Sequence, residues 1–540
     1  MPDPLRRLGF VLLLGVSCAD PAAAQLTLQI SDYATLPMTG VVDGVGNDGS
    51  LARVNFLREE PGGAKRFFVN DLNGPLYILD KATKTFIKYL DFNGSDTHQG
   101  LFDRLPIQVG LAGGFISFQF DPDYGRNGRF YTIHLEDPQK PGSDVPDNTT
   151  TPGLKVDAYT ATAPIRTPGR IDREAVLVEW TDTNIANTTF EGSAREVLRV
   201  QHNSRIHPMG DMIFNPIARP GGADWRVMYV ACGDGGSGEQ TTEIRSNPQR
   251  LDTAVGKILR IIPDLAEHTD SSTVSENGRY RIPADNPFVM VDGARKEIWA
   301  YGFRNPHRLI WDVDPDNPAS HHLIAAVIGL HTWETVVIVR KGANYGYSER
   351  EGIERLTPDN SRATIPDDDR MAVQVTDTVT SGTVTPTYPV IAYRHVTGGG
   401  DAIAGGFVYR GRAVRALRGK YIFGDISTGR IWYADHAEML AADDGKPETL
   451  AQMREVHIQW DSPSAGAAKQ PYPAMFPIVQ TAYHLRGGKD ADLPGGSVVS
   501  GPGRADMRLA VDAAGELYIL TKSDGMIRAV VGATSPPARN

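Results

Sequence analysis

The chain has 540 residues and a formal net charge of -10, a balance that excludes a nucleic-acid binder, which needs a basic stripe. Length alone predicts two to four domains of about 150 residues, but a closed β architecture can absorb a chain of this size in one. Its two cysteines, Cys18 and Cys232, cannot build a disulfide framework, so packing must carry the stability.

The chain opens MPDPLRRLGFVLLLGVSCADPAAAQ. Arg6 and Arg7 precede a short apolar run, Leu8 to Val16, and Ala22-Ala23-Ala24 offers the small residues of a cleavage site. The run is shorter than the roughly 20 apolar residues that span a bilayer. Residues 1–24 therefore read as a secretory signal peptide, which predicts an exported, periplasmic or secreted protein with one domain over 25–540. A lipid anchor on Cys18 is the alternative, set against a poor lipobox in Gly15-Val16-Ser17. No later segment is apolar enough to cross a membrane. Cleavage leaves Cys232 alone, in a context that predicts a buried strand position.

Downstream, long helical periodicity is nearly absent, and short aromatic or β-branched strands alternate with Gly/Asp turns. Six such units recur, beginning at Phe67, Gly128, Arg226, Glu297, Lys420 and Glu516. Four read strand-turn-strand directly, as hairpins do. This pattern predicts an all-β fold, a six-bladed β-propeller, which gathers loops around a central channel; a β-sandwich is the alternative. Three stretches rich in Pro, Gly, Asp, Ser or Thr read as insertions, at about 136–183, 348–385 and 438–502. Loops of that length usually serve as lids, contacts or mobile segments.

Polar residues cluster at the mouths of predicted strands. RVQHNSRIHPMGDMIFNP places His207 before the strand Met212-Ile213-Phe214, with His202 upstream. EIWAYGFRNPHRLIWD ends a strand at Gly302 and delivers Arg304 and Asn305 to a loop, where Pro306 keeps Asn305 extended. A cation that does not titrate and an imidazole that titrates near neutrality suit a site that moves protons or hydride. The turn Gly233-Asp234-Gly235-Gly236 reads as plain turn chemistry, and no P-loop follows it.

In order and wording these stretches resemble the quinoprotein glucose/sorbosone dehydrogenase family. His207 to Phe214 is similar to the family's H-x-G-G-x-L-x-F pattern, with Met209 and Met212 as departures. Gly302 to Leu309, following Ile282 to Phe288, is the most specific match, and Pro389 to Trp432 resembles a later signature. The resemblance implies a cofactor, pyrroloquinoline quinone (PQQ), with calcium at its edge, a small-molecule sugar or polyol substrate and a separate electron acceptor. It implies that His207 takes the hydroxyl proton, that Arg304 stabilises charge developing on the quinone, and that Asn305 hydrogen-bonds the cofactor. Calcium would be held by the Gly329 and Leu330 carbonyls beside Glu334. Val327-Ile328 replaces the family's Glu-His pair there and Thr335 one acidic residue, departures that weigh against that site; His331 reads as solvent-facing. For the cofactor's carboxylates, Arg430 is the preferred candidate over Arg394 and Lys420.

Two other classes are weighed against this one. A calcium-dependent, lactonase-like hydrolase would need carboxylates such as Asp211, Asp234, Asp285, Glu334 and Asp425 to converge on one metal. A cofactor-less propeller binding carbohydrate or protein would have no reason to keep His207, Arg304 and Asn305 together. Fold alone cannot choose.

Overall fold

The computed structural model describes residues 25–63, 65–107, 113–395, 400–462, 471–496 and 501–534. The leader, residues 1–24 with Cys18, lies outside them. Within the described residues the chain is all-β with a few short helices, and six sheets of four or five strands dominate. They are meanders for most of their width, and pairing is antiparallel except where Leu154–Lys155 meets Gly192–His202 in the second sheet and where the sixth takes in a distant strand. Their first strands are Val54–Glu59, Phe115–Phe120, Met209–Phe214, Asn305–Val313, Ile403–Val408 and Met507–Val511. Each of these touches the next, and the last touches the first.

Burial explains why many of these strands are apolar throughout. In Met228–Cys232 every residue is buried, because the sheet is covered on both faces. The two-residue period divides the strand between its neighbours. Met228, Val230 and Cys232 pack into the core shared with the preceding sheet, whereas Tyr229 and Ala231 pack toward the following one. The other buried clusters likewise join consecutive sheets. Stability is thus distributed around the molecule rather than held in one centre.

The sixth sheet joins the two ends of the described chain. Thr27–Thr35 pairs antiparallel with Met526–Thr534 and parallel with His457–Asp461.

Three expectations need correction. The stretch from Glu297 to Asp312, counted as one repeat unit, spans two sheets. Ile298–Tyr301 closes the third sheet against Lys257–Ile261, while Asn305–Val313 opens the fourth. The insertion at 136–183 is shorter at its end, because Arg173–Asp182 is an inner strand of the second sheet, paired on both sides. The stretch 438–502 also carries more structure than its composition suggests. It contains the strand His457–Asp461 and the helix Phe476–Leu485, which buries Ile478, Val479, Ala482 and Tyr483. The stretch 348–385 holds two small sheets. Among the described residues no helix is long and apolar enough to cross a membrane.

Candidate functional site

Residues at or just before the first strands converge on a cavity of about 240 Å³. His207, Arg304 and Asn305 all line it, as do Gly329 and Leu330. Strand register explains the position of His207. Met209 pairs with Cys232, so the chain two residues before one meets the chain two residues after the other, and His207 faces Asp234. The His207 Nδ1 lies 2.7 Å from Asp234 Oδ1.

The turn that holds this pair is demanding. His207 has φ of 53°, a left-handed conformation rare for a residue with a side chain, and its carbonyl accepts the Gly235 N–H at 3.1 Å. A side chain at Gly233 would put Cβ 2.4 Å from that carbonyl oxygen. The glycine of the Gly-Asp-Gly-Gly run is therefore needed for close approach. Asp234 is fully buried and accepts the N–H groups of Gly236 and Gly238 at 2.9 and 2.8 Å. Burial alone would push its carboxyl up. His207, Arg304 and the Gly236 N–H together hold it below the ordinary carboxylate range. An ionised Asp234 places the proton of neutral His207 on Nδ1 and leaves the Nε2 lone pair unengaged.

Arg304 donates to Glu239 at 2.9 Å and to the Gly329 carbonyl. Burial opposes its charge, but Tyr347, Glu239 and Asp234 hold the guanidinium above its ordinary pKa. Asn305 begins the inner strand rather than sitting in a loop, with Ile328 as its backbone neighbour. His202 lies behind the Asp234 turn, and burial pushes it down to about 4.

Apart from Asp401, the remaining charge in the cavity wall is basic and comes from residues not singled out in the sequence: Arg504, Arg508 and Lys522. All three are buried, and the nearby Asp506 serves two of them, 3.0 Å from Arg508 and 3.4 Å from Lys522. Burial and the neighbouring arginines push Lys522 well down, and burial takes Arg508 to about 10. Arg504 Nε is buried without a hydrogen-bond partner among the described residues. The signal was positional. Arg504 precedes the first strand of the sixth sheet much as His207 precedes that of the third.

Arg430 is not among the lining residues. It sits at the turn between the second and third strands of the fifth sheet, where Glu455 on the outer strand takes it at 2.6 and 2.9 Å. Arg394 is held by Glu354 and Lys420 by Asp435, also away from the cavity.

The residues at the expected calcium position do not fit a calcium ion as they stand. The Gly329 carbonyl already accepts a guanidinium. Glu334 spends its oxygens on His395 at 2.6 Å and on the N–H groups of Gly329 and Ile403. Burial pushes that carboxyl up to about 7 despite His395. Glu351 accepts the N–H groups of Leu330, His331, Thr332 and Trp333 with one oxygen, fixing the loop, and His331 is exposed. The five carboxylates weighed for a hydrolase are engaged separately: Asp211 with Arg58, Asp234 with His207, Asp285 with Arg260, Glu334 with His395, and Asp425 with the loop 400–402 and Thr428.

The HIPL1 protein of Arabidopsis thaliana is 25% identical over 417 residues, covering 73% of this chain and 54% of its own length. The chain thus spans about half the length of that relative. The aldose sugar dehydrogenase YliI of Escherichia coli is 36% identical over 103 residues, 19% of this chain and 22% of its own. Among solved structures, the PQQ-bound aldose sugar dehydrogenase of Streptomyces coelicolor aligns with a TM-score of 0.47 at 16% identity, over 95% of this chain and 99% of that one. The glucose/sorbosone dehydrogenase profile matches residues 65–463, and the chain belongs to that family.

Proposed function

We propose that this protein is an exported, PQQ-dependent oxidoreductase that oxidises an aldose sugar or related polyol at one face of a six-bladed β-propeller. The observation that carries this reading is the His207–Asp234 pair set in a cavity whose other charged lining is mainly cationic. The cycle of six first strands supports the propeller, and residues 1–24 support export.

The donor set fits a planar, multiply carboxylated quinone. Arg504, Arg508 and Lys522 offer charge to its carboxylates, and Asn305 offers an amide donor. When bound, PQQ supplies the acceptor for the hydride that leaves the substrate carbon. The chain supplies the rest. His207 Nε2 accepts the hydroxyl proton as a general base, which is worth about 10²- to 10⁴-fold in rate. Asp234 holds the imidazole orientation and stabilises its protonated form. Arg304 offers a fixed positive charge where negative charge develops. Electrons then pass to a separate acceptor. No role falls to calcium in the arrangement described above.

The test is reconstitution of the purified protein with PQQ, with and without calcium, followed by aldoses and an artificial electron acceptor. Stoichiometric quinone binding and sugar-dependent dye reduction, lost in His207→Ala, are expected. Failure to bind quinone at micromolar concentration would overturn the reading. It would favour a cofactor-less binding propeller, for which the contact of Arg304 with the Gly329 carbonyl already speaks.

A further inference from the structure

A second group of ligating side chains lies at the opposite end of the strand that leaves the cavity. Asn305 opens the strand Asn305–Val313 at the cavity, and Asp312 stands seven residues on, roughly 23 Å away at about 3.3 Å per residue. His322 is its cross-strand partner in the same sheet, so the two side chains share a face. His436 arrives from the next sheet as the first residue of the helix His436–Ala442. One ligand atom from each of the three lies within 4.8 Å of the others.

What makes this more than a polar contact is the pair of nitrogens left over. His322 Nδ1 and His436 Nε2 are both buried without a hydrogen-bond partner; His436 is 8% exposed and its Nε2 stands 3.4 Å from Asp312 Oδ2, too poorly aligned to bond it. A buried polar atom left unsatisfied costs about 1–3 kcal/mol. Two of them beside one carboxylate call for a common partner. Asp312 receives Arg410 at 2.9 and 2.7 Å, yet an ionised carboxylate has about four acceptor positions. Burial is the main influence on both histidines and lowers each below its ordinary pKa. Asp314 near Arg410, the Asp443–Arg340 pair and the neighbouring His321 are the other titratable groups nearby.

We propose that Asp312, His322 and His436 bind a divalent transition-metal ion of the zinc class. Two imidazoles and a carboxylate form the His₂/carboxylate ligand set such ions take, with a fourth position left to water. Arg410 orients Asp312 and also competes with the ion for it. The ion would tie the fourth sheet to the helix that follows the third strand of the fifth, far from the cavity. It therefore acts on stability and leaves sugar oxidation alone.

The experiment is zinc titration of untagged, chelator-dialysed protein by calorimetry, with cobalt(II) absorption to report coordination. The expected result is one equivalent bound at micromolar concentration or tighter, with a raised thermal midpoint. His322→Gln and His436→Gln should each weaken binding at least 10-fold, and His331→Gln, an exposed control, should not. Arg410→Gln should bind as well as the parent or better, since a competing cation is gone. If His436→Gln does not fold, the half-buried His322 carries the test. Binding that survives both histidine substitutions, or no binding by either the parent or Arg410→Gln, would overturn the proposal.

Discussion

Replacing Asp234 by Asn changes one oxygen to an amide nitrogen and separates the two duties of that side chain. In the parent, Oδ1 accepts from His207 and Gly236 while Oδ2 accepts from Gly238. An Asn that keeps its oxygen toward His207 points its NH₂ at the Gly238 N–H, donor against donor, in a fully buried place. An Asn turned the other way points NH₂ at His207 Nδ1 and forces the proton onto Nε2, where the base should be. Either way one buried group goes unsatisfied and a charge-assisted bond is lost, a cost of about 2–3 kcal/mol. The turned rotamer also removes the base, so kcat should fall by about 10²- to 10⁴-fold with quinone affinity nearly unchanged. Because the folded-state pKa of Asp234 lies below its usual value, its contribution is present above about pH 4 and is lost as pH falls below that. The stability gap between parent and variant should therefore narrow in acid. Urea unfolding across pH, beside steady-state kinetics on the reconstituted protein, reads both effects. A variant with parental kcat and an unchanged pH profile would refute the assignment of His207 as a base held by Asp234.

Other expectations follow from the same geometry. Lys522→Met should weaken binding of the carboxylated quinone about 10-fold or more by titration, while the thermal midpoint holds or rises. The lysine's folded-state pKa is pushed down by burial, so it opposes folding at neutral pH. Glu334 is pushed up to about 7 from 4.5, and His395 is raised as well. For Glu334 the penalty on its buried charge grows as pH rises from 4.5 to about 7, while what His395 contributes is present below 6.5 and is lost only above it. Unfolding free energy should fall between about pH 4.5 and 7, and Glu334→Gln should flatten the slope. Calcium added without quinone, or removed by a calcium chelator, should leave the thermal midpoint unmoved, because Arg304 holds the Gly329 carbonyl. A calcium-dependent rise would refute that occupancy.

The strands were legible because the sheets alternate their side chains between two apolar neighbours, which writes short β-branched and aromatic runs. The repeat at Glu297 misled because it joins the last strand of one sheet to the first of the next, and a sheet boundary carries no local mark beyond Gly302. His207, Arg304 and Asn305 were readable from motif wording, and all three reach the cavity. Asp234 was equally present in the text but disguised as turn chemistry. Aligning Met209 against Cys232 as a hairpin would have brought it to His207. Arg504, Arg508 and Lys522 sit around one local hairpin in which Met507 pairs with Thr521, but what brings that hairpin to His207 is the contact of the sixth sheet's first strand with those of the first and fifth sheets, which no local pattern states. Arg430 lies near a motif in sequence, yet its turn faces the outer strand and Glu455 and it does not line the cavity.

The strand Thr27–Thr35 meets its antiparallel partner about 500 residues later. During synthesis at roughly 5–20 residues per second, it waits on the order of 25 to 100 s before that partner exists. His457–Asp461, its parallel neighbour, emerges only somewhat sooner. An apolar edge left open that long invites pairing with other chains. Closing so large a loop adds an entropic cost before any contact rewards it. Five sheets can form as the ribosome delivers them, but the sixth cannot. The final seam is therefore where assembly is slowest, and where a chain cut short at either end would stay open.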